Sequence, residues 1–136
     1  MKRTYPESEL HKSVKKYLDL ILTPDSWWTS IGHGNRGKSV RGALWKAQGA
    51  KKGVPDILIQ FAGRAHWIEL KSPVGTLSPE QNDCHQAIVK AGGCVTVARS
   101  IDHVSDALAR WQIPTRERRG SQLPVRVLPS DEVEAA

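Results

Sequence analysis

Two acids and a lysine stand at a spacing that suits the hydrolysis of phosphate esters. Glu69 and Lys71 lie two residues apart in an apolar run, so their side chains leave a β-strand on the same face. Asp56 precedes the neighbouring apolar run, and Gly63-Arg64 between the runs predicts a two-residue hairpin loop. With that loop Asp56 faces Lys71 and lies diagonal to Glu69, at roughly 7–8 Å between Cα atoms. An odd-numbered loop would turn Glu69 away, so the predicted site depends on this parity.

Carboxylates that converge on one point repel each other, and a divalent cation between them removes the conflict. Ligation by oxygen alone favours Mg²⁺ or Mn²⁺ over zinc. Such an ion activates a water as nucleophile and stabilises the charge that develops on a phosphate. Lys71 would hold the attacking water or neutralise the transition state. The alternative is an ion pair between Lys71 and either acid on the surface, with no catalytic role.

Glu7 and Gln81 each have two interpretations. The apolar residues between Leu10 and Leu22 recur at helical spacing and direct Glu7 toward the sheet, where it would join the two acids. An acid in a first turn also stabilises the helix dipole without any further role. Gln81 stands three residues after Ser78 and completes a capping-box pattern. Its amide would also reach the site, because it extends by one turn the predicted apolar stripe of its helix, Cys84, Ala87, Ile88 and Ala91.

A basic stretch lies close to the acids in the sequence. The net charge is +6, from 20 basic and 14 acidic residues, and no acid lies between Asp25 and Asp56. Lysine and arginine interleaved with glycine suit a phosphate backbone, although a solvated basic face is the alternative. Trp45 in this stretch would either stack on a base or pack in the core. The predicted nucleic-acid contacts are Asn35, Arg36, Lys38, Arg41, Lys46, Lys51 and Lys52.

Composition excludes several other classes of protein. The two cysteines are too few for a disulfide framework, and no apolar run approaches the roughly 20 residues that a membrane span requires. The five histidines and two cysteines form neither a Cys-x-x-Cys nor a His-x-x-x-His pattern, which argues against zinc. We therefore expect a cytoplasmic protein with no membrane partner and no small-molecule cofactor.

The elements that must position these residues form one α/β domain over residues 1–114. Periodicity and capping signals predict helix, strand, possible helix, two hairpin strands, helix, strand and helix. These elements lie at 6–22, 27–31, 39–50, 57–61, 66–70, 79–91, 94–98 and 101–111. Because a helix links the last two strands, we expect these strands to be parallel in a mixed sheet covered by helices. Residues 115–136 lack apolar periodicity and predict an extended or disordered tail.

Three motifs in register resemble a known nuclease family. Gly-Val-Pro-Asp at 53–56 and Glu-Leu-Lys at 69–71 are similar to the PD-(D/E)XK nuclease core. Together with Gly-Thr-Leu-Ser-Pro-Glu-Gln at 75–81, they resemble the stand-alone form of the virus-type replication-repair nuclease (VRR-NUC) domain over about residues 5–110. The resemblance implies a restriction-endonuclease-like fold and a Mg²⁺- or Mn²⁺-dependent DNA endonuclease. It implies that Asp56, Glu69 and Glu7 are metal ligands, Lys71 the catalytic lysine and Gln81 an active-site glutamine.

The resemblance also carries expectations about substrate and assembly. Stand-alone members of the family are similar to Holliday-junction resolvases, act as homodimers on branched DNA, and are often phage-encoded. A phage protein of this kind would work in the cytoplasm of the bacterial host. Two alternatives stand beside this interpretation: a DNA-binding module that kept the fold and lost catalysis, and a sequence-specific restriction-type endonuclease that acts on duplex DNA.

Overall fold

A computed structural model describes residues 7–31, 48–49 and 51–116 of the protein. The elements are α1 (Glu7–Ile21), β1 (Ser26–Ser30), β2 (Ile57–Phe61), β3 (Arg64–Leu70), α2 (Pro79–Lys90), β4 (Cys94–Ala98) and α3 (Ile101–Arg110). This order agrees with the predicted one. The possible helix at 39–50 lies outside the described residues, apart from a turn at 48–49. None of the helices described here has the length and apolar character that a membrane span needs.

The four strands form one mixed sheet in the order β1-β2-β3-β4. β2 runs antiparallel to both β1 and β3, whereas β3 and β4 are parallel. The parallel pair follows from the chain order, because α2 links the two strands and brings the chain back to the same end of the sheet. The predicted mixed α/β sheet is confirmed.

The hairpin between β2 and β3 turns one residue earlier than predicted. Phe61 pairs with Arg64, so the loop is Ala62-Gly63 and not Gly63-Arg64. Ala62 and Gly63 have φ values of +50° and +79°, and two positive values are what a type I′ turn requires. Each β2 residue therefore meets a partner two positions earlier on β3 than expected. A shift of two leaves every side chain on its predicted face.

The corrected register changes how the two acids stand to each other. Ile57 pairs with Ile68, and the next position of this antiparallel register sets Asp56 opposite Glu69. The predicted pairing of Asp56 with Lys71, and its diagonal relation to Glu69, were wrong. Residues directly opposite each other lie about 4.5–5.5 Å apart between Cα atoms, so the two acids are closer than the predicted diagonal would place them.

The hydrophobic core lies between one face of the sheet and the helices α1 and α3. Alternate strand residues point into it, as the period of two dictates. Its fully buried members include Ile57, Ile59, Ile68 and Leu70 from the strands, and Val14, Leu18, Val104 and Leu108 from the helices. Glu69 and Lys71 alternate with Ile68 and Leu70 and so belong to the other face, where α2 lies.

The described fold includes two residues past the predicted boundary at 114. Thr115 forms a bridge with Leu22 and is buried, and the N–H of Arg116 donates to the carbonyl of Ile21 at 2.8 Å. These two residues were assigned to the tail but pack against the end of α1. The remainder of the predicted tail, 117–136, lies outside the described residues and stays a prediction.

Candidate active site

Asp56 is fixed by hydrogen bonds to the strands on both sides of it. Its main-chain oxygen accepts from the N–H of Ile31 at 2.8 Å, and its carboxylate Oδ2 accepts from the N–H of Leu70 at 2.7 Å. Pro55 precedes it and is buried, and this residue has no N–H with which to continue a ladder. The Asp56 carboxylate therefore accepts a hydrogen bond from the last residue of β3, and this bond to the backbone fixes the orientation of the carboxylate.

Glu69 is almost fully enclosed, at 1% exposure, and both of its carboxyl oxygens meet side chains of α2. Nε2 of Gln81 donates to Oε2 at 2.9 Å, and Nε2 of His85 lies 3.4 Å from Oε1. His85 is itself buried, and this burial lowers the pKa of its imidazole. The helix α2 therefore covers Glu69 with one amide and one imidazole.

The electrostatics of the site centre on Glu69. Burial, followed by repulsion from the Asp56 carboxylate, raises the pKa of Glu69 to about 8. The charge of Lys71 opposes this rise in pKa, and the charge of Glu7 adds a smaller contribution to it. Two adjacent buried carboxylates whose repulsion Lys71 offsets only in part therefore favour one retained proton, or one additional cation.

The side chain of Gln81 caps α2 and also contacts Glu69. Its Oε1 accepts from the N–H of Ser78 at 2.9 Å, and the main-chain N–H of Gln81 donates to the Ser78 hydroxyl at 3.1 Å, which completes the capping box. Its Nε2 donates to Glu69. Since only the amide oxygen accepts from an N–H, the cap decides which end of the amide faces the acid. The start of α2 and the orientation of Glu69 are thus coupled.

Gly53 allows the segment that leads to Asp56 to pack directly on the first turn of α2. Its φ is +83°, and a Cβ at this position would lie 2.3 Å from the carbonyl oxygen of Glu80. A side chain fits neither the backbone angle nor the space. The glycine of the predicted motif therefore sets the distance between the loop that carries Asp56 and the helix that carries Gln81.

Lys71 follows β3 and lies on the same side of the chain as Glu69. Its N–H donates to the carbonyl of Ala98 at 3.0 Å, and the residue is half-buried. Its influence on the pKa values of both Glu69 and His85 places its charge beside the site. The structure therefore brings together four predicted residues, which are Asp56, Glu69, Lys71 and Gln81.

Glu7 is the first residue of α1 and is half-buried, with a charge that reaches Glu69. One turn later, Nε2 of His11 lies 3.6 Å from Oδ2 of Asp56. His11 and His85 are site residues that the sequence pattern did not identify, since histidines were weighed there only as zinc ligands. Each follows a predicted site residue by four positions, and this spacing on one helix face was the available signal.

The site offers two carboxylates, those of Asp56 and Glu69, to a divalent cation. Within the described ranges, no three His, Cys, Asp or Glu side chains are grouped closely enough to ligate a metal, so Glu7 does not complete a set with Asp56 and Glu69. Mg²⁺ is commonly held by one or two carboxylates, with water at its other positions. The paired carboxylates of Asp56 and Glu69, whose repulsion a cation relieves, fit that requirement.

Only two of the predicted DNA contacts belong to the described residues. Lys51 and Lys52 are exposed and border a groove of about 540 Å³, whose apolar wall includes Trp67. The predicted apolar stripe of α2, Cys84, Ala87, Ile88 and Ala91, also lines this groove. The stripe therefore faces this groove, whereas Gln81 and His85 of the same helix face Glu69. The other predicted contacts, Asn35, Arg36, Lys38, Arg41 and Lys46, lie outside the described residues, as does Trp45.

Comparison with known proteins adds two findings. The sequence profile of the VRR-NUC domain matches residues 26–102, more than half of the chain. A solved structure described as a VRR_NUC domain protein is similar at a TM-score of 0.62 and 22% sequence identity, covering 80% of this chain and 89% of that one. No curated protein matches the sequence. The likeness, with the mixed sheet and its flanking helices, confirms the predicted fold, with which a PD-(D/E)XK core is consistent.

Proposed function

The chain belongs to the VRR-NUC domain family, and from that premise we propose that it is a Mg²⁺- or Mn²⁺-dependent DNA endonuclease. The family implies a nuclease-type fold. The observation that carries the proposal is the pairing of Asp56 and Glu69, two buried carboxylates at the ends of adjacent strands. Burying such a pair destabilises the fold, since each acid raises the free-energy cost of ionising the other. A bound cation would offset that cost.

Asp56 and Glu69 are the residues that would hold the divalent ion; Glu7, the third predicted ligand, does not group with them in this structure. When bound, the ion activates a water and stabilises the negative charge that develops on the phosphate. The N–H of Leu70 holds Asp56 in orientation, and Gln81 does the same for Glu69. These contacts keep both carboxylates directed at one place before substrate arrives.

Lys71 is proposed to act on the attacking water or on the scissile phosphate. Its ammonium is a compact charge on a flexible stem, and it stands beside the two acids. Lys51 and Lys52, with the basic residues that precede them in the sequence, would contact the phosphate backbone. These contacts position DNA and carry no sequence information themselves.

We also propose that the substrate is branched DNA and that the active form is a homodimer, in the cytoplasm of a bacterial host. These points follow from the family resemblance, because a four-way junction requires two cuts and therefore two active sites. Light scattering of the purified protein, alone and with a four-way junction, measures the number of chains in each complex. A monomer in both measurements would contradict the homodimer.

The activity is tested with labelled four-way junctions and linear duplexes in Mg²⁺, Mn²⁺ or EDTA. We expect cleavage with either metal, none in EDTA, and a loss on the order of 10²-fold or more in Asp56→Asn and in Lys71→Ala. Asp106→Asn, an exposed acid on α3, serves as the matched control and should cleave like the wild type. Cleavage in EDTA, or full activity in Asp56→Asn, would exclude the assigned site.

The same experiment separates the alternatives. Binding without cleavage in every divalent metal, with affinity that falls steeply as salt rises, would identify a non-catalytic DNA-binding module. Discrete fragments from long linear duplex, with no preference for junctions, would identify a sequence-specific endonuclease.

A further inference from the structure

We infer that Arg99 is a positioning residue for Lys71, because its guanidinium holds the loop against which the lysine side chain packs. The inference rests on the proposed catalytic role of Lys71. Arg99 directly follows β4, and neither the sequence motifs nor the acids of the site involve it. It would act on the reaction only through the lysine.

The guanidinium of Arg99 joins both ends of the turn that follows Lys71. Its Nη1 donates to the carbonyl of Ser72 at 2.6 Å and to the carbonyl of Gly75 at 2.7 Å. The N–H of Gly75 also donates to the Ser72 carbonyl, at 3.1 Å. Hydrogen bonds from a charged donor are roughly twice as strong as neutral ones. One arginine therefore fixes the shape of residues 72–75.

This turn lies against the stem of Lys71. A Cβ placed on Gly75 would be 3.5 Å from Cδ of Lys71 and 3.1 Å from the Ser72 hydroxyl, so the middle of the lysine side chain passes beside Gly75. The Lys71 backbone is tied to Ala98, the residue before Arg99. The lysine stem is thus bounded by the turn on one side, and the turn is held by Arg99.

Restricting this stem matters for the chemistry. A lysine has four rotatable side-chain bonds, and misplacing a catalytic group by about 1 Å can cost on the order of 10²-fold in rate. The main chain of Arg99 is anchored as well, because its main-chain N–H donates to Nδ1 of His103 at 2.9 Å in the first turn of α3. Held at its main chain and at its guanidinium, Arg99 can limit the positions open to the lysine ammonium.

A direct contact between Arg99 and DNA is the competing role. Both observed bonds of the guanidinium go to main-chain oxygens, and the cleft of about 350 Å³ that it borders is also lined by Glu9, whose charge repels phosphate. These observations favour the positioning role. The two roles differ in which kinetic constant changes.

The test measures cleavage by Arg99→Ala and Arg99→Lys, with Arg110→Ala as control. Arg110 is an exposed arginine on α3 whose one side-chain hydrogen bond to a described residue is a 3.4 Å contact to Thr96. We expect Arg99→Ala to lower kcat about tenfold with unchanged KM and salt dependence, Arg99→Lys to recover part of the loss, and Arg110→Ala to resemble the wild type. In a Lys71→Ala background, Arg99→Ala should have no further effect.

If Arg99→Ala raised KM, and if the slope of log binding constant against log salt concentration became smaller by about one, Arg99 would contact a phosphate and the inference would be overturned. Hydrogen–deuterium exchange of the metal-free protein provides a second readout that needs no activity. The Gly75 amide should exchange faster in Arg99→Ala and normally in Arg110→Ala, and unchanged exchange in both would overturn the inference. If the wild type does not cleave, the proposed function fails, and exchange alone decides whether Arg99 holds the turn.

Discussion

The two acids of the site are neighbours that are held by different means. The carboxylate of Asp56 accepts from the N–H of Leu70 and its main-chain oxygen accepts from the N–H of Ile31, with His11 farther away, at 3.6 Å from the carboxylate. Glu69 is held by side chains of α2, namely Gln81 and His85. The main-chain contacts exist wherever the sheet forms, whereas the side-chain contacts require α2 to lie at one distance from the sheet. Asp56 is therefore the robust half of the site, and Glu69 is the half that depends on packing.

The cost of ionisation is also uneven, because it is the pKa of Glu69 that burial and the neighbouring carboxylate raise. Burial and the neighbouring carboxylate raise the pKa of Glu69 to about 8, so this acid is charged only in part at neutral pH. The contacts from α2 hold it in place in either protonation state. Variants that move α2 or alter Glu69 should thus affect stability in ways that variants at Asp56 do not.

The largest effect is expected for Gly53→Ala, which would push the first turn of α2 away from the sheet. The added Cβ meets the Glu80 carbonyl oxygen at 2.3 Å, and the φ of +83° disfavours any side chain. We expect a loss of about 3 kcal/mol or more in the free energy of unfolding, measured in urea. Gly63→Ala is the matched control, since its φ is +79° with no atom within 4 Å of the new Cβ. It should cost only about 1 kcal/mol. Equal losses would show that α2 is not held by this contact.

A second prediction contrasts the two acids directly. Glu69→Gln should stabilise the metal-free protein at pH 8 by about 2 kcal/mol, because it removes a buried charge beside Asp56. Asp56→Ala should destabilise it by about 1–3 kcal/mol, because the N–H of Leu70 loses its acceptor. Urea unfolding in EDTA measures both changes. A loss of stability in Glu69→Gln at pH 8 would contradict the claim that the buried charge of Glu69 destabilises the metal-free protein.

The pH dependence of the unfolding free energy tests the role of Glu69 separately, by comparing the wild type with Glu69→Gln. The folded pKa of Glu69, about 8, lies above its ordinary value of 4.5, so the native state binds more protons than the unfolded state between these values. The unfolding free energy of the wild type should therefore fall as pH rises from about 4.5 to 8. Glu69→Gln should lack this decline, and its advantage should vanish near pH 5.

The smallest effect separates the two roles of Gln81. Gln81→Ala removes the helix cap and the donor to Glu69, and should cost about 1 kcal/mol. Gln81→Glu keeps an acceptor for the Ser78 N–H but places an oxygen against Glu69. It should match the wild type near pH 5 and lose stability toward pH 8. Gln86→Ala, an exposed position on α2, is the control for helix propensity. If Gln81→Ala and Gln81→Glu behaved alike at every pH, the amide would act only as a cap.

Much of this fold could be predicted because its signals are local. The two glycines before β4 and the Ser100 cap after it set its bounds at Cys94–Ala98, and the serine, proline and glutamine at 78–81 set the start of α2. The face of Glu69 was also predictable, because it depends only on whether the hairpin loop has an even number of residues. An error of two positions in pairing therefore left the site intact.

What could not be predicted depends on distances between elements. The sequence allows two-residue loops at both 62–63 and 63–64, and an alanine at φ +50° is too uncommon to mark the turn in advance. The contacts of His11 and His85 require knowing how far α1 and α2 lie from the sheet. Periodicity indicates which way a helix faces, but packing decides what each side chain meets.

The bridge between Leu22 and Thr115 has a practical consequence for single-molecule work. At 1.5 Å per residue, the 15 residues of α1 separate its two ends by about 22 Å, with Glu7 at one end and Ile21 at the other. The chain therefore leaves the described fold at the end of α1 that is remote from the carboxylates. A handle or surface attachment placed downstream of Arg116 would start from that remote end.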